Sequence, residues 1–252
     1  WIKDNIGLGH RRLAIIDLTE SGKQPMISRD NRFVLVFNGE IYNYREIRKE
    51  LEFIGKKFIG TSDTEVLLEA LIEWGEETLQ KLNGMFAFAF WDNKYNTLLI
   101  ARDRYGIKPL YYAIQNNIFI FASEQKAIIS HPEFKRTINK SALFEYFTFQ
   151  NIFTSQTLFE DVNILPAGHW MRFNKNQKNF KTNMYWDYRF KEENHASDLR
   201  EYSEELDRLF KKAVERQLVS DVEIGTYLSG GMDSGSISAI ASKHSKNIKS
   251  FT

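Results

Sequence analysis

The stretch FVLVFNGEIYNYREI, Phe33 to Ile47, decides how the first part of the chain is read. Asn38-Gly39 between apolar residues is a strong two-residue hairpin signal, because both central positions of a type I′ turn need positive φ. A hairpin also needs alternating residues on both flanks, and only the left flank supplies a strand. After Tyr42 the apolar residues Ile47, Leu51 and Ile54 recur at helical spacing. Asn38-Gly39 is therefore expected to end one strand without opening its partner. The chain then enters a helix over NYREIRKELEFIG, with Asn43 and Glu46 at capping-box spacing and Gly55 as the stop.

Outward from that point, short β-type runs alternate with helices. SDTEVLLEALIEW repeats the capping device with Ser62 and Glu65, and Val66, Leu67, Ala70, Leu71 and Trp74 form its buried stripe. GMFAFAF is expected to be a buried strand. TLLIARD and PLYYAI are expected to form a hairpin, with Asp103, Arg104 and Lys108 on the turn RYGIKP. Beyond IFIFASEQKAIISH and a helix at SALFEYFTF, the piece ILPAGHWMRF reads as one more strand. From Asn174 to about Asp198 the residues turn polar, as in a linker or surface loop. A helix at LREYSEELDRLFKKAVERQL, a strand at EIGTYL, a helix at MDSGSISAIASKHS and a strand at IKSFT then spell the start of a parallel βαβ unit.

The bulk composition removes several function classes. With 34 basic against 33 acidic residues the net charge is +1, which supplies no basic field, so no nucleic-acid partner is expected. No apolar run approaches the roughly 20 residues of a membrane helix, so no membrane partner is expected either. The sequence has no cysteine, which excludes disulfides, thiolate metal sites and thiol nucleophiles within these residues, and the five histidines lack H-x-x-x-H spacing. Trp1 in place of an initiator and the interrupted strand IKSFT suggest a piece of a longer chain.

In EIGTYLSGGMDSGS, Ser229, Gly230 and Gly231 fall where a strand ends and a helix begins, so N–H groups and the positive helix end converge on a spot suited to an anion. The plain alternative is a strand-to-helix turn capped by Ser229 or Asp233. The glycines lack the Lys-Ser/Thr of a Walker loop, and there is no G-x-G-x-x-G. Ser-Gly-Gly-x-Asp-Ser resembles the pyrophosphate loop of ATP pyrophosphatases. That resemblance implies ATP as cofactor, with Ser229, Gly230, Gly231 and Ser234 on pyrophosphate oxygens, Leu228 near the nucleotide, and Asp233 binding the phosphates through Mg²⁺. Gly235 departs from the second Ser of many relatives.

Six stretches in order, HRRLAIID, FNGEIYNY, TSDTEVLL, GMFAFAFWD, RDRYGIKPLYY and FASEQKAI, resemble the glutaminase domain of class II glutamine amidotransferases. Followed by the pyrophosphatase loop, they are similar to the glutamine-hydrolysing asparagine synthetases from Gly7 to the end of the chain. The resemblance implies an α+β αββα sandwich of the N-terminal-nucleophile type over residues 1–190, with two stacked antiparallel sheets, and the start of an α/β ATP-pyrophosphatase domain over 191–252. It assigns the oxyanion donors to the Asn38 side chain and Gly39 N–H, the glutamine carboxylate to Arg12, its ammonium to Glu40 and Asp63, and a backbone contact to Ile15. Each has a plain reading beside it: Arg12 as a surface charge, Glu40 as a strand-end residue, Asp63 as a helix-start residue favoured by the dipole.

The family nucleophile is an N-terminal Cys whose own amine serves as base. Its absence here is expected from a chain that begins downstream of it; the other reading is a relative that has lost glutaminase activity, as β-lactam synthetase-like members have. The resemblance further implies glutamine, ATP and aspartate as substrates, a β-aspartyl-AMP intermediate fed by channelled ammonia, cytoplasmic localisation, and room for a homodimer. Another carboxylate acceptor such as a sugar acid, a tRNA-modifying pyrophosphatase, a sugar-phosphate amidotransferase and a non-enzymatic relic are the competing readings.

Overall fold

The structure is a computed structural model and describes residues 1–175, 179–190, 198–245 and 248–252. In chain order its elements are β1 (Ile2–Lys3), β2 (Ile6–Gly7), β3 (Met26–Ile27), β4 (Phe33–Ile41), α1 (Tyr44–Phe53), α2 (Asp63–Trp74), α3 (Thr78–Lys81), β5 (Gly84–Asp92), β6 (Thr97–Arg102), β7 (Tyr111–Gln115), β8 (Ile118–Ala122), α4 (Gln125–Ile129) and α5 (Lys140–Phe149). They continue with β9 (Val162–Ile164), β10 (His169–Asn174), β11 (Asn179–Met184), α6 (Leu199–Arg216), β12 (Gly225–Tyr227), α7 (Met232–His244) and β13 (Lys249–Phe251). Two compact units result. One gathers Trp1–Arg12, Lys23–Ile41 and Leu67–Asp187, the other Leu13–Gly22, Tyr42–Val66 and Tyr188–Thr252.

The first unit is built on two antiparallel sheets, one of six strands in the order β11-β10-β6-β5-β4-β3 and one of three in the order β8-β7-β9. Val34, Val36, Ala87, Ala89, Trp91, Leu98, Ile100 and Met171 lie on one face of the large sheet and form a core with Tyr112, Phe119 and Phe121 of the small one. Stacking of Phe119 on Phe173, centroids 5.3 Å apart, belongs to this same seam. The opposite face of the large sheet is buried as well, through Leu35, Phe37, Phe86 and Phe88. Burial on both faces explains why FVLVF and MFAFAF are continuous apolar runs and not alternating ones. On the small sheet, α4 packs Ile128 against Ala113, Phe134 and Val162. The α+β sandwich of stacked antiparallel sheets expected from the sequence is thus present.

Three local readings need correction. The strand does not end at Asn38-Gly39: β4 continues through both to Ile41, paired with β5 along its whole length. RYGIKP is not a hairpin turn, because β6 belongs to the large sheet and β7 to the small one, which makes the segment a crossover between sheets. ILPAGHWMRF divides at Leu165–Gly168 into β9 and β10, again in different sheets. Of the two capping boxes, Asn43 makes no side-chain cap bond, whereas Ser62 Oγ accepts from Glu65 N at 3.2 Å. The polar stretch after Asn174 falls partly at 176–178 and 191–197, outside the described residues; within it, Asn179–Met184 form β11.

In the second unit, α6 begins at an Asp198 cap and packs with α7 around Val214, Ile240 and Ala241. β12 and β13 pair in parallel on either side of α7, which is the expected βαβ start.

Candidate functional site

Asn38, Gly39 and Glu40 occupy the end of β4, in register with Ala87, Phe86 and Met85 of β5. Strand alternation places Asn38 and Glu40 on the face of Val34 and Val36, toward the small sheet, where Asn38 Nδ2 donates to Ser123 Oγ at 3.5 Å. Phe86, opposite Gly39, directs its backbone away from β4. Its C=O accepts from Asp103 N at 2.8 Å and its N–H donates to the Asp103 carboxylate at 3.2 Å. Gly39 and Phe86 are therefore a non-hydrogen-bonded pair, and Gly39 N–H points to the other edge of β4.

On that edge β3 pairs only as far as Leu35. Gln24 then acts as a substitute strand: its Oε1 accepts from Phe37 N at 2.6 Å and its Nε2 donates to Phe37 O at 3.0 Å. Gly39 N–H emerges two residues beyond this clamp. Only glycine fits the position, since a Cβ would strike the Met85 carbonyl and lie 2.8 Å from Phe86 Cα.

The crossover is what fixes Phe86. Asp103 is 1% exposed, and its carboxylate accepts from Phe86, Tyr105, Ile107 and Lys108 N–H groups at 3.0–3.2 Å. Its carbonyl accepts from Gly168 N. Arg102 donates to Lys108, Leu165 and Gly106 carbonyls, closing the crossover from the other side. A turn residue in the sequence is thus a buried brace behind the strand pair that presents Asn38 and Gly39.

Arg12 is half-buried and belongs to the same unit. Burial, and next the nearby Arg12 guanidinium, hold His10 below the usual imidazole value, which favours its neutral form.

Ile15 and Asp63 fall in the second unit. Asp63 is the first residue of α2 and is buried beside the Ser62 cap. Glu65 folds back to accept from Ile59 N and Gly60 N, each at 2.8 Å. The hub of this region is Asp17, which the sequence reading passed over although it closes the HRRLAIID stretch. Its carboxylate accepts from Thr19 N and Oγ1, Ser21 Oγ and Thr61 N. Burial acts to raise its pKa, but the bonds from Thr19, Thr61 and Ser21 outweigh it and hold the acid well below the usual carboxylate range. The loop carrying Ile15 is thereby tied to the turn that leads into Asp63. No local pattern marks Asp17 or Gln24 in advance, because Thr61 and Phe37, to which they bond, lie far away in sequence; Asp103 reads only as a turn residue, and its bond to Phe86 is what local spacing does not show.

The glycine turn lies in the second unit too. Gly230 takes a φ of +79°, and Gly231, at the N-cap of α7, makes no side-chain cap bond. Neither Ser229 nor Asp233 caps the helix, so the plain turn reading lacks its cap, and the first N–H groups of α7 stay directed at the loop. Ser234 Oγ accepts from Ser229 N at 3.2 Å and lies 2.9 Å from Ser229 Oγ, while Leu228 N donates to Phe251 O at 2.7 Å and anchors the loop to β13. Asp233 and Ser234 border a cleft of about 570 Å³ shared with Phe210, Val214, Thr226 and Tyr227. Two hydroxyls, backbone N–H groups and a helix N-terminus form a donor set that fits phosphate oxygens. Among the described residues no three His, Cys, Asp or Glu converge on a metal position. A single carboxylate at Asp233 fits Mg²⁺, which keeps its waters and binds through one or two carboxylates plus substrate phosphates. No helix among the described residues is long and apolar enough to cross a membrane.

The family model described as a glutamine amidotransferase domain matches residues 1–186, and the asparagine synthase model matches residues 205–252. The chain is 41% identical over 247 residues to asparagine synthetase [glutamine-hydrolyzing] 3 of Bacillus subtilis, covering 97% of this chain and 39% of the relative. It is 39% identical over 251 residues to asparagine synthetase [glutamine-hydrolyzing] 1 of that organism, covering 99% and 39%. Amidase chry2 of Gibberella zeae is 35% identical over 252 residues, with 96% and 36% covered. The chain thus spans about two-fifths of the length of the curated relatives it matches.

Proposed function

The chain belongs to the glutamine amidotransferase domain family, in the arrangement of the glutamine-hydrolysing asparagine synthetases, and on that premise we propose that the whole protein amidates aspartate with nitrogen taken from glutamine and energy from ATP. The observation that carries the glutamine half is Gly39, whose N–H leaves the β4–β5 ladder beside the Asn38 carboxamide. Attack on the glutamine amide develops a negative oxygen, and these two donors would receive it. Arg12 would bind the α-carboxylate through its two-pronged guanidinium, Glu40 and Asp63 the ammonium, and Ile15 the backbone of the ligand. The nucleophile would be the family's N-terminal Cys; residues 1–252 contain no cysteine.

In the second half, Ser229, Gly230, Gly231 and Ser234 would hold the β- and γ-phosphates that depart as pyrophosphate, with Leu228 beside the nucleotide and Asp233 facing Mg²⁺. The metal would supply charge neutralisation between the phosphates. Adenylation makes the aspartate β-carboxylate electrophilic, and ammonia released at the first site displaces AMP from it. Ammonia must travel sheltered, because in bulk water near neutral pH it protonates and ceases to be a nucleophile. Residues 1–190 and 191–252 are the corresponding functional domains in this reading, and a cytoplasmic setting supplies its substrates.

The test is nitrogen transfer. Full-length protein given amide-labelled glutamine, aspartate and Mg-ATP should place the label in asparagine. Asn38→Ala should cut glutamine-dependent transfer by about 10²–10³ while leaving synthesis from free ammonia intact. Equal loss with both nitrogen sources would remove Asn38 from the glutaminase site. Label transfer to a different carboxylate would keep the amidotransferase and replace the acceptor.

A further inference from the structure

Asp221 stands in the connection between α6 and β12, inside the stretch matched by the asparagine synthase model, yet its bonds reach the beginning of the chain. Asp17 N–H donates to Asp221 Oδ2 at 2.7 Å, across 204 residues of sequence, and Asp221 N–H donates to Ile15 O at 3.0 Å. The segment it grips, Leu13–Gly22, buries Ile16 but leaves other apolar side chains in solvent. Leu13 and Leu18 are 83% and 55% exposed, and its only regular structure is a single 3₁₀ turn at Glu20–Gly22. Polar bonds to Asp17 tie Thr19 and Ser21 to one another, and the same carboxylate fastens Thr61 two residues ahead of Asp63. The pKa of Arg45 in α1 is raised first by its bond to Tyr44 and, in smaller part, by the charge of Asp221.

We propose that Asp221 is a positioning residue for glutamine binding, through which the asparagine synthase part of the chain holds the loop that carries Ile15 and, by way of Asp17, the turn that presents Asp63. This rests on the glutaminase reading above. Ile15 and Asp63 serve the unreacting end of glutamine, whose contacts are the same in ground and transition states, so loosening them raises KM and spares kcat. Asp221 lies four residues ahead of Gly225, where β12 starts toward the glycine turn. Its backbone and side chain are thus shared between the segment leading to the phosphate loop and the glutamine loop.

The experiment measures glutamate release from glutamine by the full-length protein, with ammonia-dependent AMP release as a separate readout of the synthase half. Asp221→Ala should raise the glutamine KM about fivefold, the equivalent of one net hydrogen bond, with kcat within about twofold of wild type. Asp221→Asn keeps a carbonyl oxygen for Asp17 N–H and should restore the KM, although it removes the carboxylate charge. Ammonia-dependent AMP release should be equal in all three proteins. An unchanged KM in Asp221→Ala, a KM rise shared by Asp221→Asn, or a parallel loss of ammonia-dependent activity would each overturn the proposal. A wild-type protein without glutaminase activity would remove the glutaminase reading itself, and this inference with it.

Discussion

Replacing Gly39 by Ala tests whether the end of β4 is an oxyanion site. The added Cβ would lie 2.8 Å from Phe86 Cα and 2.9 Å from Met85 C, and would strike the Met85 carbonyl oxygen, all of them backbone atoms that no rotamer change can move. Ordinary contact begins near 3.4 Å, so β4 must withdraw from β5 by at least roughly 0.6 Å at the residue that supplies the proposed donor. Asp103 resists that shift because it fixes Phe86 through both backbone groups. Overpacking of this kind costs about 1–3 kcal/mol of stability. A displacement approaching 1 Å in a catalytic group costs up to about 10² in rate. Glutamate release by the full-length protein should therefore fall about a hundredfold in kcat, with a lower unfolding midpoint. Gly230→Ala is the matched control: its φ of +79° makes Ala unfavourable by about 1–2 kcal/mol, but nothing lies within 4 Å to be displaced. It should leave glutaminase turnover unchanged. A folded Gly39→Ala protein with turnover within threefold of wild type would refute the assignment of Gly39 N–H.

Asp103→Ala leaves the N–H groups of Phe86, Tyr105, Ile107 and Lys108 without their acceptor, and urea unfolding should show a loss of roughly 3–5 kcal/mol. For His10 the folded pKa lies below the ordinary value of 6.5, so the unfolded chain binds the proton more readily. Its contribution to stability is full above about pH 6.5 and is lost as the pH falls below that value, and His10→Gln should flatten the dependence seen in urea midpoints between about pH 7.5 and 5.5. Asp233→Asn should lower acceptor-dependent AMP release by at least about tenfold, with partial recovery at high Mg²⁺, while glutamate release is unaffected.

Much of the architecture was legible because local and global signals agreed. FVLVF and MFAFAF read as buried strands for the same reason that both faces of the large sheet are covered. Helical spacing after Tyr42 correctly ruled out a hairpin at Asn38-Gly39, and the strand–helix–strand order of the last 30 residues produced the parallel pair β12–β13. What the local pattern does not hold is the destination of each strand. Gly106 and Pro109 mark a change of direction, but nothing in RYGIKP says that β7 joins a different sheet from β6. Leu165–Gly168 interrupts ILPAGHWMRF in the same way, with Gly168 at a φ of +66°. Asn43 and Ser62 show the limit at single-residue scale: both begin a capping box, and only Ser62 places its hydroxyl on the helix. Asp17 and Asp221 were illegible, and Asp103 was legible only as a turn residue, for a common reason. Each is one acid bonded to backbone N–H groups distant in sequence or hidden in a crossover, and an isolated acid has no spacing to read.

Amidation of aspartate is tested most directly by AMP release from the full-length protein supplied with glutamine and Mg-ATP, with and without aspartate. Aspartate-dependent AMP should form in equal amount to asparagine and pyrophosphate. Glutamate release with no AMP dependent on aspartate or any other carboxylate would contradict it.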